Sequence, residues 1–183
     1  MNYQNITTDD MVNGDGLRVV LWVSGCEHKC KNCQNTITWN PEDGILFDSK
    51  VMHEIENELK NDYISGITFS GGDPLHKENI CQVANFILYI KHKYPNKTIW
   101  LYTGYKWEYL SERYECNMTV NSSFINSIKY ILPCLDVLVD GKFEDVLKDD
   151  KYHWAGSTNQ RVIDVQKTLK TGEVILWDQN SKN

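Results

Sequence analysis

The sequence contains no apolar run that approaches the roughly 18 residues required for a membrane-spanning helix. Its first residues, Met1-Asn2-Tyr3-Gln4, also lack the basic region followed by an apolar one that marks a secretory signal. The sequence has 19 Lys and Arg residues but 25 Asp and Glu residues, so its net charge is −6 and positive charge is not in excess. A nucleic-acid backbone is therefore not expected as the main partner. We predict a cytoplasmic protein that binds neither nucleic acid nor membrane.

Cysteine is present but unevenly distributed, since three of the six cysteines, Cys26, Cys30 and Cys33, fall within eight residues. In a chain without a visible secretory signal, cysteines are expected to be thiols or metal ligands and not disulfides. Thiolate is a soft ligand, and three thiolates at the spacing C-x3-C-x2-C can converge on a metal. The loop from Cys26 to Cys33 is therefore the first candidate site.

A fourth ligand is missing around this loop. A structural zinc site normally closes with four ligands, but neither a second C-x2-C pair nor a pair of histidines follows. A cubane iron–sulfur cluster also usually takes four cysteines, so three would leave one iron open to a substrate. Two other interpretations stay open at this point: ordinary cysteines without a metal, and zinc with His28 as the fourth ligand.

Strand-like apolar runs alternate with helical patterns along the 183 residues, which suffice for one domain with a core. We expect strands at 18–24, 64–69, 98–102, 135–139 and 161–165, and an edge strand at 174–177. We expect helices at 49–59, 78–92, 106–114 and 124–131, whereas residues 1–17 lead into the first strand and 115–123 form a surface loop. This alternation predicts an α/β fold with a parallel sheet, in which active-site residues gather at the carboxyl ends of the strands.

Short motifs follow three of the predicted strands. The sequence Ser-Gly-Gly-Asp-Pro-Leu follows the second strand, at 70–75. Its glycines allow close approach of the backbone to a ligand, and Asp73 offers an acceptor for a cationic amine. Thr103 follows the third strand, and Asp140 and Lys142 follow the fourth. Each of these motifs, taken alone, is also compatible with a plain turn that leads into a helix.

The cysteine spacing and the Gly-Gly-Asp motif together resemble the radical S-adenosylmethionine (SAM) superfamily. Within it, the chain closely resembles the activating proteins of the anaerobic (class III) ribonucleoside-triphosphate reductase. Members of that family share Cys-x-His-x-Cys-x-x-Cys-x-Asn, present here from Cys26 to Asn35, together with Thr-Trp-Asn, Thr-Gly-Tyr, Asp-Gly-Lys-Phe and Gly-Ser-x-Asn-Gln-Arg. The resemblance covers residues 1–165, which are expected to form one radical SAM domain. Residues 166–183 form an extension for which the resemblance implies no role.

The resemblance implies a partial (β/α) barrel with a parallel sheet of about five to six strands. It implies one [4Fe–4S] cluster bound by Cys26, Cys30 and Cys33, with SAM chelating the open iron. Asn32 departs from the wider superfamily, which has an aromatic residue there, and Tyr102 stands where some relatives have an acidic residue of a cation site. The residues expected to contact SAM are Asn32, Cys33, Gln34, Gly71, Gly72, Asp73, Pro74, Thr103, Asp140 and Lys142.

The implied activity is reductive cleavage of SAM to methionine and a 5′-deoxyadenosyl radical. That radical would take hydrogen from a glycine of the anaerobic reductase, using an electron from an external donor such as a flavodoxin. Residues 13–16 and 154–161 are expected to surround the entering glycine loop. The sequence leaves open whether the protein forms a homodimer. Two alternatives are an activator of another glycyl-radical enzyme, such as a formate lyase, and a non-catalytic zinc-binding interaction module.

Overall fold

A seven-stranded sheet runs through the part of the chain that the computed structural model describes, residues 1–116 and 122–177. Its strands, in chain order, are β1 (Asn2–Asp10), β2 (Leu17–Val23), β3 (Ile45–Leu46), β4 (Ile64–Gly71), β5 (Thr98–Tyr102), β6 (Val137–Asp140) and β7 (Arg161–Asp164). They lie side by side in the order β3-β1-β2-β4-β5-β6-β7. The helices are α1 (Ser49–Leu59), α2 (Ile80–Lys93), α3 (Trp107–Glu115), α4 (Ser123–Ile131) and α5 (Val165–Thr171).

The sheet is mixed, which corrects the prediction of a parallel sheet of five to six strands. Strands β2, β4, β5 and β6 are parallel to one another, as expected from the helices that connect them. At one edge β1 runs antiparallel to β2 and β3, and at the other edge β7 runs antiparallel to β6. A tight turn joins β1 to β2, and the described residues contain no α-helix between β6 and β7. Neither connection is the crossover that a parallel neighbour requires.

The predicted helices and the five main predicted strands are confirmed to within two residues of their bounds. Strand β1 was not predicted, because its sequence NYQNITTDD offers no apolar run and only Tyr3 in it is buried. The expected edge strand at 174–177 is reduced to a single bridge from Leu176 to Ile163, and α5 precedes it. Of the surface loop expected at 115–123, residues 117–121 lie outside the described residues.

The helices cover one face of the sheet. On α1 the predicted residues Val51, Ile55 and Leu59 are buried, and Asp48 caps the helix by accepting from the backbone N–H groups of Lys50 and Val51. Every helix contributes buried side chains to the main hydrophobic cluster. None of the helices in the described ranges is long and apolar enough to cross a bilayer.

The opposite face of the parallel strands carries a different set of side chains. Because side chains alternate along a strand, Ile99 and Leu101 join the main cluster, whereas Trp100 points to the other face and packs with Val137 and Val139. The rings of Trp154 and Trp177 lie edge-on to Trp100, with centroids 5.0 and 5.8 Å away. This second face, which carries the smaller cluster, also borders the cavity described next.

Candidate active site

A cavity of about 500 Å³ opens at the carboxyl ends of the parallel strands, on the face that the helices leave free. Its walls include Gly71 and Gly72 after β4, Thr103 after β5 and Lys142 after β6. Its volume lies within the roughly 300–1,000 Å³ typical of small-molecule sites. The position agrees with the expectation that functional residues gather at this end of an α/β sheet.

More than half of the residues predicted to form the site reach this cavity. Those that line it are Cys30, Cys33, Gln34, Gly71, Gly72, Thr103 and Lys142. Those that do not line it are Cys26, Asn32, Asp73, Pro74 and Asp140. The cysteine loop and the ends of three strands, which are far apart in sequence, therefore meet around one space.

Backbone N–H groups are directed at the sulfur atoms of the cysteine loop. The N–H of Asn35 lies 3.4 Å from Cys33 Sγ, and the N–H groups of His28 and Lys29 bond to Cys26 Sγ. Burial raises the pKa of the Cys26 thiol to about 11 and also raises the pKa of Cys30, while the N–H bonds act in the opposite direction. Donors of this kind stabilise thiolate and tune the potential of iron–sulfur clusters.

The three sulfurs face two sides of the loop. Cys30 and Cys33 face the cavity, whereas Cys26 borders a neighbouring cleft with Glu27, Lys29 and other residues. Among the described residues, no three His, Cys, Asp or Glu side chains are arranged to hold a single metal ion. The ligands of a four-iron cluster bind different irons and stand farther apart than ligands of one ion. Three partly buried sulfurs in one short loop therefore fit a cluster better than a single ion.

Asp73 is a buried acceptor between the strand ends. Its carboxylate accepts from the N–H of Leu75 at 2.8 Å and of Gly104 at 3.1 Å, and from the Thr103 hydroxyl at 2.9 Å. The Nε2 atom of His28, from the cysteine loop, lies 2.6 Å from Oδ2. With only 2% of its surface exposed, Asp73 does not reach the cavity but ties three segments together.

The side chains of Asp140 and Asn32 also form hydrogen bonds with other residues of the chain. Asp140 is buried, accepts from the N–H of Trp107 at 2.7 Å and pairs with the guanidinium of Arg161. The Asn32 side chain donates to Asp145 at 2.7 Å. In the Asp-Gly-Lys-Phe motif, Gly141, Lys142 and Phe143 therefore line the cavity, whereas Asp140 does not.

The cavity ends in an aromatic region that the sequence analysis did not assign to SAM. Trp22, Tyr102 and Trp154 line it, together with Val12 and Asn13 from the turn before β2. The Tyr102 hydroxyl is buried and has no hydrogen-bond partner among the described residues, and burial raises its pKa. Alternation along β2 and β5 could have placed Trp22 and Tyr102 on this face, but nothing in the local pattern indicated a cavity there.

Comparison with known proteins identifies the family. A family described as a 4Fe-4S single cluster domain matches residues 12–163. An anaerobic ribonucleoside-triphosphate reductase-activating protein of Enterobacteria phage T4 is 41% identical over 162 residues, which cover 88% of this chain and 93% of that protein. The chain belongs to the family of anaerobic ribonucleoside-triphosphate reductase-activating proteins.

Other members of this reductase-activating family are similar to the same extent. The proteins of that name from Haemophilus influenzae and Escherichia coli strain K12 are each 40% identical, with coverage of 87% and 88% of this chain and of 96% and 97% of those proteins. The resemblance drawn from the motifs is thus confirmed. The matching domain is described by a 4Fe-4S cluster, which favours iron–sulfur over the zinc alternative.

Proposed function

We propose that this chain is a radical SAM activating enzyme that generates the glycyl radical of an anaerobic ribonucleoside-triphosphate reductase. The observation that carries the proposal is the convergence of the cysteine loop and the Gly71–Gly72 strand end on one cavity, in a chain of the reductase-activating family. When bound, a reduced [4Fe–4S] cluster would supply one electron to the sulfonium of SAM, and breaking the bond from sulfur to the 5′ carbon would then give methionine and a 5′-deoxyadenosyl radical.

The residues of the chain would bind and orient the reactants. Cys26, Cys30 and Cys33 are proposed to hold the cluster, and the cavity wall at Gly71, Gly72 and Thr103 to receive SAM. Both glycines are required by the packing behind this wall, because a Cβ atom at Gly71 would lie 2.6 Å from the backbone of Val23 and one at Gly72 would lie 2.5 Å from the carbonyl oxygen of Gly25. Holding the sulfonium beside the electron source makes the reaction effectively intramolecular.

Contacts of the remaining predicted residues with SAM stay predictions. Gln34 and Lys142 line the cavity and can reach a ligand there. Asp73 can meet the amine of SAM only if one of its present donors gives way, because its carboxylate is buried and engaged. Asn32, Pro74 and Asp140 would need to act from outside the present cavity wall.

The finer assignments of fold, boundary and partner also belong to this proposal. Four parallel strands, with helices on one face and the cavity on the other, support a partial barrel of the radical SAM type. A boundary at residue 165, a homodimer, a cytoplasmic location and an external one-electron donor such as a flavodoxin stay predictions. The partner follows from the name of the relatives.

Anaerobic reconstitution with iron and sulfide tests this function. With SAM and a low-potential reductant, the protein should form 5′-deoxyadenosine and methionine in equal amounts. With the anaerobic reductase, electron paramagnetic resonance should show a glycyl radical, for which hydrogen passes from the glycine Cα to the 5′ carbon. A colourless zinc protein without SAM cleavage would contradict the proposal, and a radical formed only on a formate lyase would favour the alternative activator.

A further inference from the structure

The imidazole of His28 joins the cysteine loop to both strand ends that form the opposite wall of the cavity. It lies two residues from Cys26 and from Cys30, and its side chain is 8% exposed. Its Nε2 atom lies 2.6 Å from Asp73 Oδ2, after β4. Its ring also packs edge-on against Tyr105, after β5, with centroids 4.8 Å apart.

The ring occupies space that Gly104 leaves free. A Cβ atom at Gly104 would lie 2.3 Å from the imidazole, so only glycine permits this contact. The acceptor on the other side is held rigidly, because Asp73 also accepts from Leu75, Thr103 and Gly104. The imidazole is thus enclosed by groups that cannot easily follow it if it moves.

The backbone of the cysteine loop needs such an anchor. Lys29 and Asn32, on either side of Cys30, have φ values of 47° and 54°, in a left-handed region that costs free energy for a lysine and less for an asparagine. Such conformations persist only where surrounding contacts hold them. His28 is the buried side-chain contact in this stretch, whereas the bond from Asn32 to Asp145 is exposed.

We propose that His28 is a positioning residue whose hydrogen bond to Asp73 fixes the cysteine loop against the Gly71–Gly72 and Thr103–Gly104 wall. The function assigned to this anchor rests on the proposed SAM cleavage, because it sets the distance between the cluster ligands and the SAM-binding wall. The same anchor gives Asp73 a role in the site although its side chain does not line the cavity.

Two substitutions separate the hydrogen bond from the packing of the ring. His28→Phe keeps an aromatic ring against Gly104 and Tyr105 but cannot bond to Asp73, whereas His28→Gln keeps an N–H donor. His53→Phe is the matched control, because His53 is exposed on α1. Hydrogen–deuterium exchange of the full-length protein, with and without cluster, measures the loop at 26–33, and binding of SAM to the reconstituted protein measures its consequence.

In His28→Phe, we expect exchange in the loop to be at least about tenfold faster, and SAM binding to be weaker by a similar factor, as for loss of a charge-assisted hydrogen bond. His28→Gln should stay within about threefold of the wild type in both measurements, and His53→Phe should match it. Unchanged loop exchange in His28→Phe would overturn the proposal, as would equal losses in the Phe and Gln variants.

If His28→Phe fails to fold, shown by faster exchange throughout the chain, His28→Gln decides: near wild-type values support the anchor, and loss in both measurements rejects it. Failure of the proposed function would look different. In that case the wild type itself would not bind or cleave SAM, while loop exchange in the variants would still report whether His28 holds the loop.

Discussion

Asp140 illustrates how a buried charge at a strand end can support a site from outside it. Its carboxylate receives the first N–H of α3, from Trp107, and the guanidinium of Arg161 on β7. Arg161 in turn makes two bonds of 2.9 Å to Glu108 on α3, and these lower the pKa of Glu108. The carboxylate thus holds β6, α3 and β7 in place just below the cavity.

Asp140→Asn should therefore destabilise the fold more than it alters ligand contacts. The variant keeps the shape of the side chain but loses the charged acceptor, and hydrogen bonds to charged groups contribute roughly 1.5–3 kcal/mol. We expect chemical denaturation to show a loss of about 2 kcal/mol, while Asp150→Asn, at an exposed residue, should show almost none. A fully stable Asp140→Asn protein with weakened SAM binding would instead support the direct contact predicted from the sequence.

The three loop cysteines should not replace one another. Losing one ligand would leave a second iron without a protein ligand, so Cys30→Ala should lose most bound iron and all SAM cleavage. Cys116→Ala should retain both, because Cys116 lies at the end of α3 and does not line the cavity. Iron analysis after anaerobic reconstitution measures the first effect, and full iron content in Cys30→Ala would refute the assignment.

At the residue scale, more than half of the residues predicted from the sequence line one cavity, but the direction of the other side chains was not predictable. Gly71, which ends β4, and Gly72 and Thr103, which directly follow β4 and β5, reach the cavity because they lie at the ends of parallel strands that the periodicity predicted. Asp140 ends β6 and Asp73 lies two residues after β4, yet both carboxylates turn inward to bind backbone N–H groups. The position of a carboxylate at a strand end does not determine which N–H groups will donate to it. These partners were known only from the tertiary structure.

At the scale of elements, the turn before β2 is held by a buried guanidinium together with the Asp10 carboxylate, which accepts from the N–H groups of Val12 and Asn13. Arg18 is fully buried and donates to the carbonyl of Asp15 at 3.0 Å, to the hydroxyl of Thr68 and to the carbonyl of Ile67, both at 2.8 Å. Burial lowers its pKa to about 10, so it remains protonated at neutral pH. The turn that it holds carries Val12 and Asn13 into the aromatic end of the cavity.

Arg18→Lys should loosen this turn, since an ammonium group cannot reproduce the forked set of bonds. We expect a stability loss of about 2–3 kcal/mol, because acceptors such as the Ile67 carbonyl lose a charged donor. Denaturation with urea measures the loss, and faster hydrogen exchange at 11–16 would locate it. Lys50→Arg on α1 is the control, and equal stability of Arg18→Lys would show that the turn is held by other contacts.

Regular elements with an apolar period were predictable, and the irregular edges of the sheet were not. Helix α1 was predictable because Val51, Ile55 and Leu59 recur every four residues and lie on one face of the helix. Strand β1 was hidden because it exposes polar residues and forms its hydrogen bonds with β2 and β3 at an edge. The antiparallel direction of β7 depends on a long loop whose path leaves no periodic signal.

Polar side chains near the end of the loop between β6 and β7 form hydrogen bonds with other residues of the same loop, and this changes how docking should be tested. Gln160 accepts from the N–H of Gly156 and donates to the carbonyl of Gly141, and Asn159 donates to the carbonyl of Lys142. Replacing Asn159 and Gln160 by Ala should therefore disturb the loop itself and reduce SAM cleavage and radical transfer together. A loss confined to radical transfer would contradict this and restore the docking role expected for these two side chains.

At the scale of the whole molecule, exposed apolar side chains stand near the open side of the cavity. Val12 lines the cavity and is 75% exposed, and Val146 is 87% exposed in the segment after Phe143, which also lines the cavity. A substrate that is a segment of a large protein needs such a surface, because apolar contacts outside the cavity can hold it while the glycine enters.

Val146→Asp should therefore separate docking of the reductase from SAM cleavage, and Val12→Asp tests the same surface at the edge of the cavity. A charge at the contact surface would weaken docking of the reductase, so the glycyl radical yield should fall about tenfold or more when each side chain is buried in the complex. Cleavage of SAM without the reductase should stay within about twofold in Val146→Asp, because Val146 does not line the cavity, whereas Val12→Asp places a charge in the cavity wall and should also reduce cleavage. Tyr130→Asp provides the control, because Tyr130 is 58% exposed on α4, on the face covered by helices. The measurements are radical quantification by electron paramagnetic resonance and 5′-deoxyadenosine formation. Undiminished radical yield in both valine variants would show that the reductase docks elsewhere.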